Sequence, residues 1–134
     1  MATIKRFEDL DVWKLAKELC EETGKIIDRG AFGKNFRLIN QIEGSSGSIM
    51  DNIAEGFERG VRKEFIQFLG YSKGSAGEYR SQLYRAFNRI YITQDEFDNL
   101  LGMVMRISGM LKSFIQYLQK TTIEGVRKLQ PLNP

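Results

Sequence analysis

The sequence predicts an all-α protein, an antiparallel up-down-up-down four-helix bundle, on three observations. Four stretches carry apolar residues at three- and four-residue spacing, the stripe that a helix buries along one face. The breaks between them are short, which sets neighbouring helices antiparallel. The two prolines, Pro131 and Pro134, both lie in the last four residues, so nothing upstream interrupts a helix as strongly as proline does.

The first helix is expected over about residues 9–28. Val12, Trp13, Ala16, Leu19, Cys20, Thr23, Ile26 and Ile27 share one face, and Glu8, Asp9 and Asp11 suit the positive end of its dipole. The segment from Arg29 to Lys34, with Gly30 and Gly33, breaks it. The second is expected over about residues 35–55, with Leu38, Ile42, Ser45, Ile49 and Ile53 facing inward and Ile39, Met50 and Phe57 widening the buried arc. Its middle, Gly44 to Ser48, is weak helix material, each glycine being about 1 kcal/mol worse than alanine. Such a run is either a seam for a closely packed helix or a loop, and we take the seam. Gly56 is expected to close this helix as a left-handed cap.

The third helix is expected over about residues 62–90, with Phe65, Phe68, Leu69, Ser72, Ala76, Tyr79, Leu83, Ala86, Phe87 and Ile90 toward the core. The fourth opens on Thr93-Gln94-Asp95-Glu96, a capping box before an apolar run. It continues through Phe97, Leu100, Val104, Ile107, Leu111, Ile115 and Leu118, with Gly125 as its expected end. Residues 1–124 therefore read as the bundle and 125–134 as a flexible tail.

The chain of 134 residues, 42% hydrophobic and 28% charged, has the size and composition of one globular domain. The single cysteine, Cys20, excludes an internal disulfide and a multi-cysteine metal site; it reads as a small buried side chain. There is no histidine, which removes the commonest general base, the commonest metal ligand and every histidine-activated nucleophile. No glycine loop suits a phosphate. The expectation is a binding module with no catalytic residues, no cofactor and no metal. Met1 to Phe7 lacks a signal-peptide core and no apolar run is long enough for a bilayer, so a cytoplasmic protein without a membrane partner is expected.

Several side chains fall off the core faces. At 100° per residue, Arg62, Ile66, Lys73, Arg80, Tyr84 and Tyr91 lie near one line of the third helix, with Gly70 and Gly77 beside it. On the fourth, Met103, Met110, Phe114 and Tyr117 form a second seam. These are either wide buried arcs or interfaces, and two unlike seams favour a head-to-tail contact, which closes into a ring or runs on as a filament. The candidate interface is therefore Ile66, Tyr84, Tyr91, Met103, Met110, Phe114 and Tyr117. Charge is uneven as well. Residues 9–28 carry six acidic and three basic residues, whereas residues 59–89 carry seven basic and two acidic ones, in a chain of net charge +3. Arg59, Arg62, Lys63, Lys73, Arg80, Arg85 and Arg89 are candidate contacts to RNA or DNA phosphates, or to an acidic partner protein such as a polymerase; solvated faces are the plain alternative.

Phe7-Glu8-Asp9-Leu10-Asp11-Val12-Trp13, Gln41-Ile42, Ser48-Ile49, Asn52-Ile53-Ala54-Glu55-Gly56, Glu64-Phe65 with Phe68-Leu69, Gly74-Ser75 and Glu78 together resemble a bacterial family. It is the four-helix-bundle family of 23S ribosomal RNA intervening-sequence proteins, and the likeness covers about residues 7–120. The resemblance extends to the accessory variability determinant of diversity-generating retroelements, a ring of five that binds nucleic acid and a reverse transcriptase. It implies a bundle, a homopentamer with a basic surface and no catalytic activity. Where many members carry alanine or arginine after Gln-Ile, this chain has Glu43-Gly44-Ser45-Ser46, which adds an acid to helix two. Of the signature residues, Asn52, Glu55 and Glu78 are expected in a buried hydrogen-bond network; the alternative is an active site that pairs the Glu55 and Glu78 carboxylates.

Overall fold

The structure is a computed structural model and describes residues 4–121. A short 3-10 turn, Phe7–Asp9, precedes α1 (Asp11–Asp28), α2 (Phe36–Glu58), α3 (Arg62–Asn88) and α4 (Gln94–Lys120). The four-helix fold expected from the sequence is thus present, and the described residues hold no strand. Paired positions on α2 and α3 run in opposite directions. Ser45 meets Gln82, Ser48 meets Ser75, Ser72 reaches the Ile49 carbonyl, and Gly56 faces Phe65 and Phe68. The α3–α4 pairs do the same, from Tyr84 on Phe97 through Arg80 on Met105 to Phe65 on Phe114. At the far edge, Arg29 after α1 reaches Glu96 at the start of α4, which closes the four helices around one core.

Ile42, Ile49, Ile53, Phe65, Leu83, Val104 and Leu111 are buried, as their helical spacing predicts. Each such side chain stabilises the fold by about 1.5–3 kcal/mol on burial. Trp13 and Phe68 differ from expectation and are half-buried. Trp13 stands edge-on to Phe7, and Phe68 lies under the Arg59 guanidinium at 5.0 Å. A polar layer crosses the core. Thr23 gives its hydroxyl proton to the Leu19 carbonyl at 2.7 Å, so the Tyr79 hydroxyl, also 2.7 Å away, donates to Thr23. Burial pushes the Tyr79 phenol above its ordinary value.

The run from Gly44 to Ser48 is helical, and it is a seam. The serines make it rather than the glycines. Ser45 and Ser46 are buried, whereas a Cβ on Gly44 or Gly47 would meet nothing within 4 Å. Cys20, half-buried beside the seam, donates to the Ser46 carbonyl at 3.0 Å, and burial raises its thiol pKa.

Four boundaries depart from expectation. The first helix begins two residues late, at Asp11, because residues 7–9 close a separate 3-10 turn. Gly56 is not a cap: α2 runs through it to Glu58, and the left-handed glycine is Gly60, with φ 84°. A Cβ at Gly56 would sit 2.6 Å from Phe68 Cβ and 3.0 Å from Phe65 Cδ1, so this glycine marks the tightest crossing of α2 and α3. The third helix ends at Asn88, where Tyr91 N–H bonds Ala86 O and Ile90 N–H bonds Phe87 O, a Schellman motif. Ile90, expected toward the core, instead occupies the left-handed position beyond the helix, with φ 61°, and is 87% exposed. The fourth helix stops at Lys120 rather than Gly125; Thr121 is extended and opens a run of β-branched residues, Thr121, Thr122 and Ile123. The tail expected at 125–134 lies outside the described residues.

Candidate nucleic-acid interface

The seven candidate cations fall on both flanks of α3 and at its start, and they differ in what already holds them. Arg59, after α2, pairs with Glu55 at 3.1 Å and Glu64 at 3.7 Å besides covering Phe68. Arg62 is half-buried, and its Nη1 donates to the Leu118 carbonyl at 3.1 Å, tying the start of α3 to the last turn of α4. These two have structural work inside the bundle. Lys63, Lys73, Arg80, Arg85 and Arg89 are exposed, and none of the five forms an ion pair among the described residues.

Lys73 and Arg80 stand two turns apart on the side of α3 that faces α4, about 10 Å along the axis. They line a groove of about 120 Å³ with Ala76, Gly77, Val104, Met105 and Ser108, and no carboxylate lines it. Arg80 Nη1 rests on the Met105 sulfur at 2.9 Å. One turn beyond Arg80, Tyr84 leans edge-on against Phe97 at 5.1 Å between centroids and stays 48% exposed. Ring and cations therefore lie along one line of the same helix. On the opposite wall, Met105, Ser108 and Lys112 follow one another at helical spacing, and Lys112 is exposed. A Cβ on Gly77 in the groove lining, or on Gly70, Gly102 or Gly109, would meet nothing within 4 Å. The groove is thus open, positive, and flanked by bare backbone on both helices.

Arg85 and Arg89 belong elsewhere. They stand on the α2 side of α3, where Arg85 Nη1 donates to Gln41 Oε1 at 3.0 Å. With Asn35, Leu38 and Asn88 they line a separate cleft of about 290 Å³ at the end where α2 begins. The sequence pattern did not bring in the α4 wall of the first site or the asparagines of the second. The spacing of Met105, Ser108 and Lys112 was the available signal for the α4 wall; the antiparallel register is what places it opposite Lys73.

The candidate interface residues are also divided. Phe114 is a core side chain, 2% exposed, edge-on to Phe65, and drops out of any surface contact. Tyr91 lies past the left-handed residue, so the helical line through Arg62 and Tyr84 no longer applies to it. Its ring packs half-buried against Phe32, and its hydroxyl accepts from Asn35 at 3.2 Å. Ile66, Met103, Met110 and Tyr117 are half-buried, and Tyr84 is exposed. The expected network of Asn52, Glu55 and Glu78 does not form. Asn52 donates to Ser48, but Glu55 pairs with Arg59 and Glu78 lies exposed by the Ser45–Ser48 turns, about 13 Å along the axis from Glu55. That separation also keeps the two carboxylates from acting as a pair. No cluster of three or more His, Cys, Asp or Glu residues suited to a metal ion occurs among the described residues, and none of the described helices is long and apolar enough to cross a membrane.

A family model described as 23S rRNA-intervening sequence protein matches residues 8–113. The chain belongs to that family. Among solved structures, it is similar to a protein of unknown function from the S23 ribosomal protein family of Bacteroides thetaiotaomicron. The two share 24% identity over 78% of this chain and 98% of the other, with a TM-score of 0.73. At that identity the likeness shows the shared helical fold alone. No curated protein matches the chain at a significant level. In this member of the intervening-sequence family, the α3–α4 groove and the α2–α3 end cleft are basic concavities among the described residues.

Proposed function

We propose that this protein is a non-enzymatic, self-associating module that binds nucleic acid along the α3–α4 groove. The observation that carries the proposal is the line of Lys73, Arg80 and half-exposed Tyr84 over a groove with no carboxylate in its lining. Cations without internal counter-ions neutralise phosphate, and an aromatic ring on the same line offers a face for an unpaired base. The glycines beside the groove let a sugar-phosphate backbone approach closely. The family's association with ribosomal RNA intervening sequences favours RNA over DNA.

Self-association is the second part. Ile66 on α3, with Met103, Met110 and Tyr117 on the α1 side of α4, remains partly exposed and available to a second copy. The resemblance supplies five as the number in the ring. Such a ring repeats the groove in every protomer, so that modest sites combine.

The test is a titration of single-stranded RNA and DNA of mixed sequence at several salt concentrations, with the mass of the free protein measured by light scattering. Log affinity should fall steeply with log salt, by about 0.7 for each phosphate engaged on a single strand. A micromolar monomer contradicts the assembly; no binding at low salt contradicts the nucleic-acid role.

A further inference from the structure

We propose that the α2–α3 end cleft is a docking site for an acidic segment of a partner protein, one carrying an apolar side chain next to its carboxylates. This is a site apart from the α3–α4 groove and does not depend on nucleic acid binding there.

Three features of one end of the bundle carry the inference. The cleft of about 290 Å³ has Arg85 and Arg89 in its walls, Asn35 and Asn88 beside them, and the buried Leu38 as an apolar member of its lining. No carboxylate lines it, and neither arginine forms an ion pair among the described residues. Arginine presents a planar fork that receives a carboxylate through two parallel hydrogen bonds.

Directly after Arg89 comes Ile90, 87% exposed and held at φ 61°. A left-handed position closing a helix ordinarily takes glycine or asparagine, and a β-branched residue there is a genuine outlier. The fold gains no burial from this side chain, although its backbone N–H and that of Tyr91 complete the helix end. A strained, exposed aliphatic group next in the chain to Arg89, which lines the basic cleft, is suited to contact with something outside the chain.

The combination discriminates between occupants. A nucleic acid offers anions to the arginines but little aliphatic surface for Ile90, whereas a peptide with carboxylates flanking a leucine satisfies both at once. Neighbouring contacts hold the cleft in shape without closing it. Asn35 is fixed by its bonds to the Leu38 amide and the Tyr91 hydroxyl, and Arg85 is steadied by Gln41.

The experiment uses the full chain and a fluorescent, end-capped decapeptide of glutamates with one central leucine. Controls are the same peptide with serine for leucine, with lysines for glutamates, and a single-stranded oligonucleotide of equal charge. The glutamate–leucine peptide should bind, the serine form several-fold more weakly, and the lysine form not at all. Arg85→Gln with Arg89→Gln should weaken binding at least tenfold. Ile90→Gly should weaken it several-fold although this change relieves the left-handed strain, so a folding defect cannot imitate the result. Lys73→Gln should leave it unchanged. Failure of the peptide to bind, equal binding of the leucine and serine forms, insensitivity to Ile90→Gly, or oligonucleotide binding lost in the Arg85/Arg89 variant overturns the proposal.

Discussion

The two flanks of α3 are built from the same residue types to opposite ends. On the α2 flank, small and polar residues are spent on the fold. Ser72 reaches the Ile49 carbonyl at 2.7 Å, Ser75 reaches Ser48 at 2.9 Å, Ser45 reaches Gln82 at 2.6 Å, and Gly56 lets the two helices touch. On the α4 flank, a Cβ on Gly70 or Gly77 would meet nothing within 4 Å, Lys73 and Arg80 have no acidic partner among the described residues, and Tyr84 is half outside. A residue type therefore says little by itself. What distinguishes structural from functional use is whether the bundle supplies the partner.

Glycine gives the sharpest contrast. Gly56→Ala should destabilise the fold by about 2–3 kcal/mol, since the added methyl overlaps two phenylalanines on a well-packed crossing. Chemical denaturation measures this, and a loss under 0.5 kcal/mol would show that α2 and α3 can separate freely. Gly77→Ala, in open space on an exposed helix face, should instead stabilise by about 0.5–1 kcal/mol. If the groove takes a ligand backbone, that same variant should bind RNA more weakly. Stabilisation with unchanged binding would remove close backbone approach from the mechanism.

Between these in size is a contact away from both flanks. Arg29 and Glu96 form a two-point ion pair where α1 ends and α4 begins, and Glu96 also closes the Thr93 capping box. The Arg29 guanidinium, aided by the Thr93 amide, pulls the Glu96 carboxyl down to about 2. Its pKa is lowered by folding. The stability it gives is therefore full above the unfolded value near 4.5 and is lost as pH falls through about 2. Both partners are partly solvated, with side-chain exposures of 49% and 22%, so about 1 kcal/mol is expected rather than the full shift. Glu96→Gln should lower stability by that amount at neutral pH and converge with wild type below pH 2. A gap that persists in acid would assign the effect to the cap instead.

Much of this was legible in the sequence because helix spacing is a local signal. The capping box at Thr93, the buried isoleucines of α2 and the seam at Ser45 and Ser46 all follow from periodicity and composition. A glycine near a helix end looks alike in sequence whether it turns the chain or admits a neighbour; at Gly56 only the position of Phe65 and Phe68 decides. Spacing places Ile90 in the core, and the structure exposes it, since no local rule puts a β-branched residue in the left-handed region. At the candidate site, the helical projection separates Lys73 from Arg85 and Arg89. The groove itself needs the α3–α4 register, which pairs residues far apart in the chain. The Glu55–Arg59 pair could be read at four-residue spacing, whereas Arg62 on the Leu118 carbonyl could not.

On the proposed function, the α4 flank of α3 meets nucleic acid while the α2 flank does not. The direct measurement is RNA affinity against salt for wild type, for Lys73→Gln with Arg80→Gln, and for Arg85→Gln with Arg89→Gln, each confirmed to keep the wild-type fold and mass. The first pair should weaken binding at low salt by tenfold or more and reduce the salt slope by about 1–2, as expected for two lost phosphate contacts. The second pair should leave affinity and slope within error of wild type. Equal losses from both pairs, or a loss only from Arg85 and Arg89, would contradict the account.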